Sequence, residues 1–207
     1  MEYRFFYSIN EDIMNTKWKT RSNLENRTDI YFIIPATVNN SDDFHFEHGL
    51  KLRNKKTLEL KIREKRFSNG QEYWLKTIHS NKRLNINDMH SILKVLKTSN
   101  ENKLIERLTS SEPIILCYAS KFREQTKTID NLTHELTCLH LKFIRSNDQS
   151  QIGNDLFFET VCIERPNSKL IDEKIIEKLC QEYKTISINP IGYPEFLFQQ
   201  YQQIINQ

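Results

Sequence analysis

Residues 57–67 read TLELKIREKRF, and this stretch decides the fold. Apolar and charged side chains alternate along it. Successive side chains of a β-strand point to opposite faces, so the alternation predicts a strand with one apolar face and one mainly cationic face. The apolar face would carry Leu58, Leu60 and Ile62, and the other face would carry Glu59, Lys61, Arg63 and Lys65.

The residues that follow predict a partner for this strand. Asn69-Gly70 between two alternating runs favours a two-residue type I′ turn, since both central positions of that turn need a positive φ. The partner strand would be Glu72–Ile78, with Arg63 opposite Lys76. Like charges directly opposite each other destabilise a pair of strands. A bound polyanion would explain why the hairpin keeps them.

Positive charge is concentrated around this hairpin. Between residues 49 and 83, eleven lysines and arginines accompany only three acidic residues, although the whole chain has a formal net charge of +3. Two interpretations of this cluster stay open. It binds a polyanion, or it is a solvated face whose lysines keep an edge strand from pairing with other chains.

Length and composition indicate a soluble globular protein. A chain of 207 residues, 38% hydrophobic and 28% charged, suits a single domain over residues 1–207. No apolar run approaches the roughly 20 residues that span a bilayer, and the N-terminal residues lack a signal-peptide pattern. We therefore expect an intracellular protein, cytoplasmic or nuclear, with no membrane partner. The four widely spaced cysteines fit reduced thiols.

The rest of the chain adds strands and a few helices. Helices are predicted at 86–96, 170–185 and 193–205, the first of them capped by Asn87 or Asp88. Many antiparallel strands with few helices predict an α+β fold: a mostly antiparallel, eight-stranded β-barrel (tunnel), closed or nearly closed, with a few flanking helices. The predicted strands are 2–9, 27–35, 49–53, 57–67, 72–78, 113–126, 133–144 and 156–164.

If these strands form a barrel, the cationic face would lie inside it. Side chains inside a barrel have little access to water, so their charges need counter-charges or a ligand. The hairpin and the preceding strand would direct a set of cations inward, namely Lys51, Arg53, Lys61, Arg63 and Lys76.

The order of short motifs along the chain resembles the CYTH superfamily, the triphosphate tunnel metalloenzymes. No single motif is specific, but the order extends over nearly the whole chain. The motifs are Asp29-Ile30-Tyr31-Phe32, Leu50-Lys51-Leu52-Arg53, Leu58-Glu59-Leu60-Lys61, Lys121-Phe122-Arg123, Phe157-Phe158-Glu159 and Tyr193-Pro194-Glu195-Phe196-Leu197.

The resemblance implies a function. In this family, basic side chains on alternate strand positions hold a linear triphosphate inside the tunnel, and carboxylates hold Mg²⁺ or Mn²⁺. It implies metal ligands at Glu2, Glu59 and Glu159. It implies phosphate contacts from Lys51, Arg53, Lys61, Arg63, Lys76, Lys121 and Arg123.

The acidic half of the family pattern is incomplete in this chain. The first strand of the family reads Glu-x-Glu-x-Lys, whereas here Arg4 stands at the second glutamate position after Glu2. The later acidic strand has Val161 where a second glutamate would follow Glu159. For the inward aspartate of the preceding strand, the chain offers only Glu135 or His140.

Three functions follow and stay open. The first is a phosphohydrolase that uses Mg²⁺ or Mn²⁺ to cleave inorganic triphosphate, a nucleotide or an RNA 5′-triphosphate. The second is a catalytically inactive module that binds a polyphosphate or nucleotide in the same tunnel and needs no cofactor. The third is a protein-interaction scaffold with the same fold. The partner is a triphosphate-containing small molecule or RNA 5′ end in the first two, and another protein in the third.

Overall fold

The computed structural model describes residues 1–34, 47–80, 83–86, 88–110, 113–128, 130–183 and 189–207. Within them eight strands form a closed barrel in the order β1-β5-β4-β3-β2-β6-β7-β8, and every neighbouring pair is antiparallel. The predicted antiparallel barrel is confirmed. The strands are β1 Glu2–Ser8, β2 Glu25–Ile33, β3 His48–Arg53, β4 Thr57–Arg66, β5 Glu72–His79, β6 Ile115–Lys127, β7 Thr133–Arg145 and β8 Gln151–Glu164.

Five described helices flank the barrel. The short α1 continues into a π-helical turn, Met14–Trp18. Asp88 caps α2 by accepting a hydrogen bond from the backbone N–H of Ser91, as predicted for one of two residues; the other, Asn87, lies outside the described residues. The helix α3 was not predicted. The bounds are α1 Glu11–Ile13, α2 Met89–Thr98, α3 Asn102–Thr109, α4 Glu173–Glu182 and α5 Tyr193–Ile205. None of them is both long and apolar enough to cross a membrane.

The apolar face of the hairpin strand packs outside the barrel. Leu58 and Leu60 are fully buried beneath α2 and α3, together with Ile92 and Leu104 from those helices. On the opposite side of the barrel, α4 covers the outer face of β1 and β8. Because the helices cover the apolar faces, the charged faces of β3 and β4 point into the barrel.

The hairpin register differs from the prediction. Arg63 lies opposite Trp74, and Lys61 lies opposite Lys76, because the turn and a bulge between Arg63 and Lys65 each shift the pairing of β4 and β5 by one residue. The loop is also longer than predicted. The Gly70 N–H donates to the Phe67 carbonyl at 2.9 Å, and Gly70 alone takes a left-handed conformation, with φ of +81°. Like charges are nevertheless neighbours, as the sequence indicated.

One end of the barrel interior is filled by the start of α5. Phe196 stacks on Phe6 with ring centroids 3.8 Å apart and meets the edge of Phe158 at 4.9 Å. Tyr193 stacks on Tyr31 at 5.5 Å. These aromatic rings close the apolar half of the interior and leave the charged half open.

Candidate functional site

The open half of the interior is a strongly charged cavity of about 330 Å³, called here the basic cavity. Tyr193 and Pro194 at the start of α5 form part of its wall. Its charged lining consists of four carboxylates, Glu2, Glu25, Glu135 and Glu164, and seven cations, Arg4, Arg27, Lys51, Arg53, Lys61, Lys121 and Arg123. Cations therefore outnumber carboxylates in this half-open cavity.

Five of the predicted phosphate-binding residues line this cavity. Lys51 and Arg53 come from β3 and Lys61 from β4, where alternation points them inward. Lys121 and Arg123 come from β6, on the opposite side of β2 in the barrel. The structure thus brings together cations that are up to 72 positions apart in the chain, from Lys51 to Arg123.

The cations that line the cavity from β2, β3, β4 and β6 are called here the basic wall, namely Arg27, Lys51, Arg53, Lys61, Lys121 and Arg123. Asp29 is the counter-ion that three of them share. Its Oδ2 lies 3.0 Å from the Nζ atoms of both Lys51 and Lys121, and 3.2 Å from a guanidinium nitrogen of Arg27. Burial alone would raise the pKa of Asp29, but the three cations outweigh it and hold the pKa far below its usual range. One fully buried carboxylate therefore balances three positive charges.

Burial disfavours the charged forms of Lys51 and Lys121. Burial lowers the pKa of Lys51 to about 8 and the pKa of Lys121 well below its usual value, although Asp29 opposes both shifts. The Lys121 ammonium also donates to the Tyr31 hydroxyl at 2.7 Å and lies 4.1 Å from the ring centroid of Tyr193. An anionic ligand bound in the cavity would stabilise the charged forms of Lys51 and Lys121.

Lys61 differs from its neighbours because it forms no ion pair with a described residue. Its positive charge still acts on Glu2 and Glu164, favouring their ionised forms. It lines both the basic cavity and a second cavity of about 370 Å³. Lys61 is therefore the cation of the wall whose charge is most available to a ligand.

Arg4 and Arg123 tie the acidic side of the cavity together. Glu135 accepts hydrogen bonds from Arg4 and Thr137 at one oxygen, and from Arg123 and Gln125 at the other. Burial would raise the pKa of Glu135, but the two guanidinium groups hold it far below its usual range. Both oxygens of Glu135 are therefore already occupied.

Two predicted phosphate contacts lie outside the lining of the basic cavity. Arg63 pairs with Glu72 at 2.8 Å and with Glu195 at 3.3 Å, which joins the hairpin to α5. The side chain of Lys76 is 40% exposed and pairs with Glu59 at 3.1 Å. Both residues support the basic wall instead of lining it.

The three predicted metal ligands do not come together. Glu59 lies among cations, 3.1 Å from Arg53 and 3.7 Å from Lys51. Glu159 lies on the opposite face of β8 from the cavity, where it accepts hydrogen bonds from Lys17, Tyr7 and the Trp18 indole. Of the three, only Glu2 lines the cavity.

One group among the described residues has the spacing of a metal site, namely Glu2, Cys162 and Glu164, whose donor atoms lie within 4.8 Å of one another. It does not fit Mg²⁺ or Mn²⁺. Burial raises the pKa of the Cys162 thiol well above its usual value, so this donor stays protonated, and sulfur is a poor ligand for hard cations. Arg4 already lies 2.8 Å from Glu2 and 3.6 Å from Glu164.

Sequence reasoning missed several residues of the cavity. Arg27, Asp29 and Tyr31 alternate along β2 and share a face with one another, so strand parity was a usable signal for them. Glu164 and Trp74 carried no such signal.

The second cavity adjoins the basic cavity and is less charged. The two share Glu2, Lys61, Trp74 and Glu164. The second cavity adds the aromatic ring of Tyr73 and the cations Lys127 and Arg165. A ligand with one highly charged end and one flat or apolar end would match the pair of cavities.

Comparisons with known proteins add similarity of structure only. No family model matches the chain, and no curated protein matches it. The PH1819 protein from Pyrococcus horikoshii OT3 is 11% identical, with 98% of this chain and 99% of that chain covered and a TM-score of 0.48. The putative adenylyl cyclase HpAC1 from Hippeastrum, described as having a dominant triphosphatase activity, is 12% identical, with 97% and 96% covered and a TM-score of 0.42. The family assignment stays a prediction.

Proposed function

We propose that the basic cavity binds the phosphate chain of a triphosphate-containing ligand. The observation that carries this proposal is the excess of cations over carboxylates on the wall of a half-open cavity of about 330 Å³. Arginine and lysine are the side chains that recognise phosphate oxygens, the first by paired hydrogen bonds and the second as a point charge.

The buried lysines support an anionic ligand. Lys51 and Lys121 share Asp29, and among the described residues only Lys51 has a second, more distant carboxylate, Glu59 at 3.7 Å. Burial lowers the pKa of both lysines despite these partners, so their charged forms are only partly compensated in the free protein. Phosphate oxygens close to them would supply the missing negative charge. A neutral ligand would leave the excess positive charge uncompensated, and a cationic ligand would increase it.

The second cavity supports a ligand that carries more than phosphates. Tyr73 lines the second cavity, and Trp74 lines both cavities together with Lys61. Aromatic rings bind nucleobases by stacking, with about 1–3 kcal/mol per base and little dependence on sequence. A nucleoside triphosphate or an RNA 5′ end would therefore place its phosphates in the basic cavity and its base in the second cavity.

Thermal shift measurements with tripolyphosphate test the proposal. Stabilisation grows with the ratio of ligand concentration to dissociation constant, so the wild-type protein should gain melting temperature as tripolyphosphate is raised. Lys61→Gln should lose most of that gain. Lys65→Gln is the matched control, because Lys65 lies on the same strand but is exposed. No shift at millimolar tripolyphosphate, or an equal shift in Lys61→Gln, would refute the proposal.

Comparing ATP with tripolyphosphate tests the role of the second cavity. Tyr73→Ala removes an aromatic ring that lines only the second of the two cavities. It should weaken ATP binding by about five- to tenfold, at the lower end of the stacking energies of one base, while tripolyphosphate affinity stays unchanged. An equal loss for both ligands would show that Tyr73 acts on the fold and not on the base.

A further inference from the structure

We propose that Arg4 is the resident cation of the carboxylate cluster in the basic cavity, so that a divalent metal binds there only when Arg4 is removed. The cluster consists of Glu2, Glu135 and Glu164, which come from β1, β7 and β8. These strands meet side by side in the barrel, which brings the three carboxylates around one point.

The guanidinium of Arg4 contacts all three carboxylates. Its Nε lies 2.8 Å from Glu2, one terminal nitrogen lies 3.0 Å from Glu135, and the other lies 3.6 Å from Glu164. The first terminal nitrogen also donates to the Thr160 hydroxyl at 3.2 Å. The fan of donors on a guanidinium suits several oxygens at once, which a lysine ammonium would match less well.

The side chain of Arg4 is held by an aromatic ring as well as by the carboxylates. Its side chain is 4% exposed, and its guanidinium carbon lies 4.7 Å from the ring centroid of Tyr193. A guanidinium keeps its charge when buried, so its donors must be directed at partners, as those of Arg4 are. Arg4 is thus a built component of the cavity and not a mobile surface cation.

The charges of the cluster match one resident guanidinium better than an additional metal. Glu135 is saturated by four hydrogen bonds, whereas Glu2 and Glu164 each have Arg4 as their ion-pair partner. Burial and the negative charge of Glu2 raise the pKa of Glu164, so these two carboxylates repel each other. A divalent ion between them would lie beside the positive charge of Arg4, which would oppose its binding.

Removing Arg4 should allow a divalent cation to bind the carboxylate cluster. In Arg4→Gln, the carboxylates of Glu2, Glu135 and Glu164 would face one another without their shared counter-ion. Hard divalent cations prefer clusters of carboxylate oxygens. The variant should therefore gain a metal site that the wild type lacks.

Titration with Mn²⁺ alone, followed by the electron paramagnetic resonance signal of free Mn²⁺, tests the inference. The wild type should leave the signal unchanged. Arg4→Gln should bind one Mn²⁺ at least tenfold more tightly than any binding by the wild type, and Arg4→Gln combined with Glu2→Gln should lose that binding. Arg21→Gln is the control, because Arg21 forms a more exposed ion pair with Glu124.

Each outcome decides the question. Wild-type binding of one Mn²⁺ that Glu2→Gln abolishes would overturn the inference, as would a folded Arg4→Gln that binds no Mn²⁺. If Arg4→Gln is unfolded, its folding on addition of Mn²⁺ supports the inference, and failure of Mn²⁺ to restore the fold overturns it. The titration contains no phosphate, so its result is independent of the proposed function.

The consequence for chemistry rests on the proposed function. A metal at such a cluster would orient water toward a bound phosphate. With Arg4 in that place, the wild type would bind tripolyphosphate in EDTA, without any divalent cation, and would release no phosphate from it when Mg²⁺ is supplied. Tripolyphosphate binding that disappears in EDTA would contradict this consequence.

Discussion

The charged side chains of the basic cavity pair with neighbours of opposite charge, but positive charges remain in excess. Asp29 is the counter-ion that Arg27, Lys51 and Lys121 share, with Glu25 and Glu59 as more distant partners of the first two. Removing one partner of a buried ion pair leaves an uncompensated charge and destabilises a protein by about 3–5 kcal/mol. Asp29 is therefore the residue on which the unliganded cavity depends most.

Asp29→Asn should lower the free energy of unfolding by about 3–5 kcal/mol at neutral pH. The loss should shrink in alkaline buffer, where the two buried lysines can shed their protons. Urea denaturation measures both quantities. Glu25→Gln is the control, because the side chain of Glu25 is 51% exposed and its removal should cost at most about 1 kcal/mol. Equal losses in the two variants would contradict the role assigned to Asp29.

The pKa of Lys51, about 8 against the usual 10.5, predicts opposite effects of pH on stability and on binding. Between these two values the unfolded chain binds a proton that the folded protein has lost, so the contribution of Lys51 to stability rises with pH. Binding of a polyanion needs the charged form, so affinity should fall as pH rises through about 8.

Calorimetric titration with tripolyphosphate from neutral pH upward checks the second effect. Lys51→Arg should abolish the part of the pH dependence that begins near pH 8, because arginine keeps its charge throughout. Identical pH profiles for the wild type and Lys51→Arg would show that Lys51 does not contact the ligand.

At the scale of elements, α5 decides how much of the barrel interior is available. Its first turn inserts Tyr193 and Phe196 among the inward side chains of β1, β2 and β8. The interior is consequently a cavity with an aromatic floor. This floor limits the length of a phosphate chain that the barrel can hold.

Phe196→Ala should lower the free energy of unfolding by about 3–5 kcal/mol, because it removes a nearly fully buried ring that stacks on Phe6. It should also weaken tripolyphosphate binding by loosening the floor. Ile205→Ala at the other end of α5 is the control, since Ile205 is 48% exposed and should change stability by less than about 0.5 kcal/mol. Chemical denaturation distinguishes the two, and equal effects would refute the role given to α5.

The elements that sequence predicted best are those with strict alternation. In the first part of β4, Leu58 and Leu60 face the helices and Lys61 faces the cavity, as period two predicted. Beyond the bulge between Arg63 and Lys65 the alternation fails, and Lys65 is exposed. The register could not be deduced, because bulges after Leu60 and Arg63 shift the pairing with β5 without a clear mark in the sequence.

Glu159 shows why part of the candidate site could not be predicted. The strand β8 is apolar on both faces because α4 and the turn Met14–Trp18 cover its outside while α5 contacts its inside. Without alternation, the sequence does not indicate which face carries Glu159. The structure places it outside, bonded to the Trp18 indole.

At the scale of the whole molecule, a chain of small net charge concentrates cations around one half-open cavity. The formal net charge is only +3, yet seven cations and four carboxylates line the basic cavity. A bound polyanion would offset the mutual repulsion of these cations. A general nucleic-acid-binding surface would instead have its positive charge spread over the exterior.

Calorimetric titration of tripolyphosphate in EDTA tests this account most directly. The wild type should bind one tripolyphosphate per chain, and Lys61→Gln should bind it at least tenfold more weakly, which corresponds to about 1.4 kcal/mol. A titration without heat that also leaves the melting temperature unchanged, or equal affinity in the wild type and Lys61→Gln, would contradict the claim that the barrel interior is a phosphate-binding site.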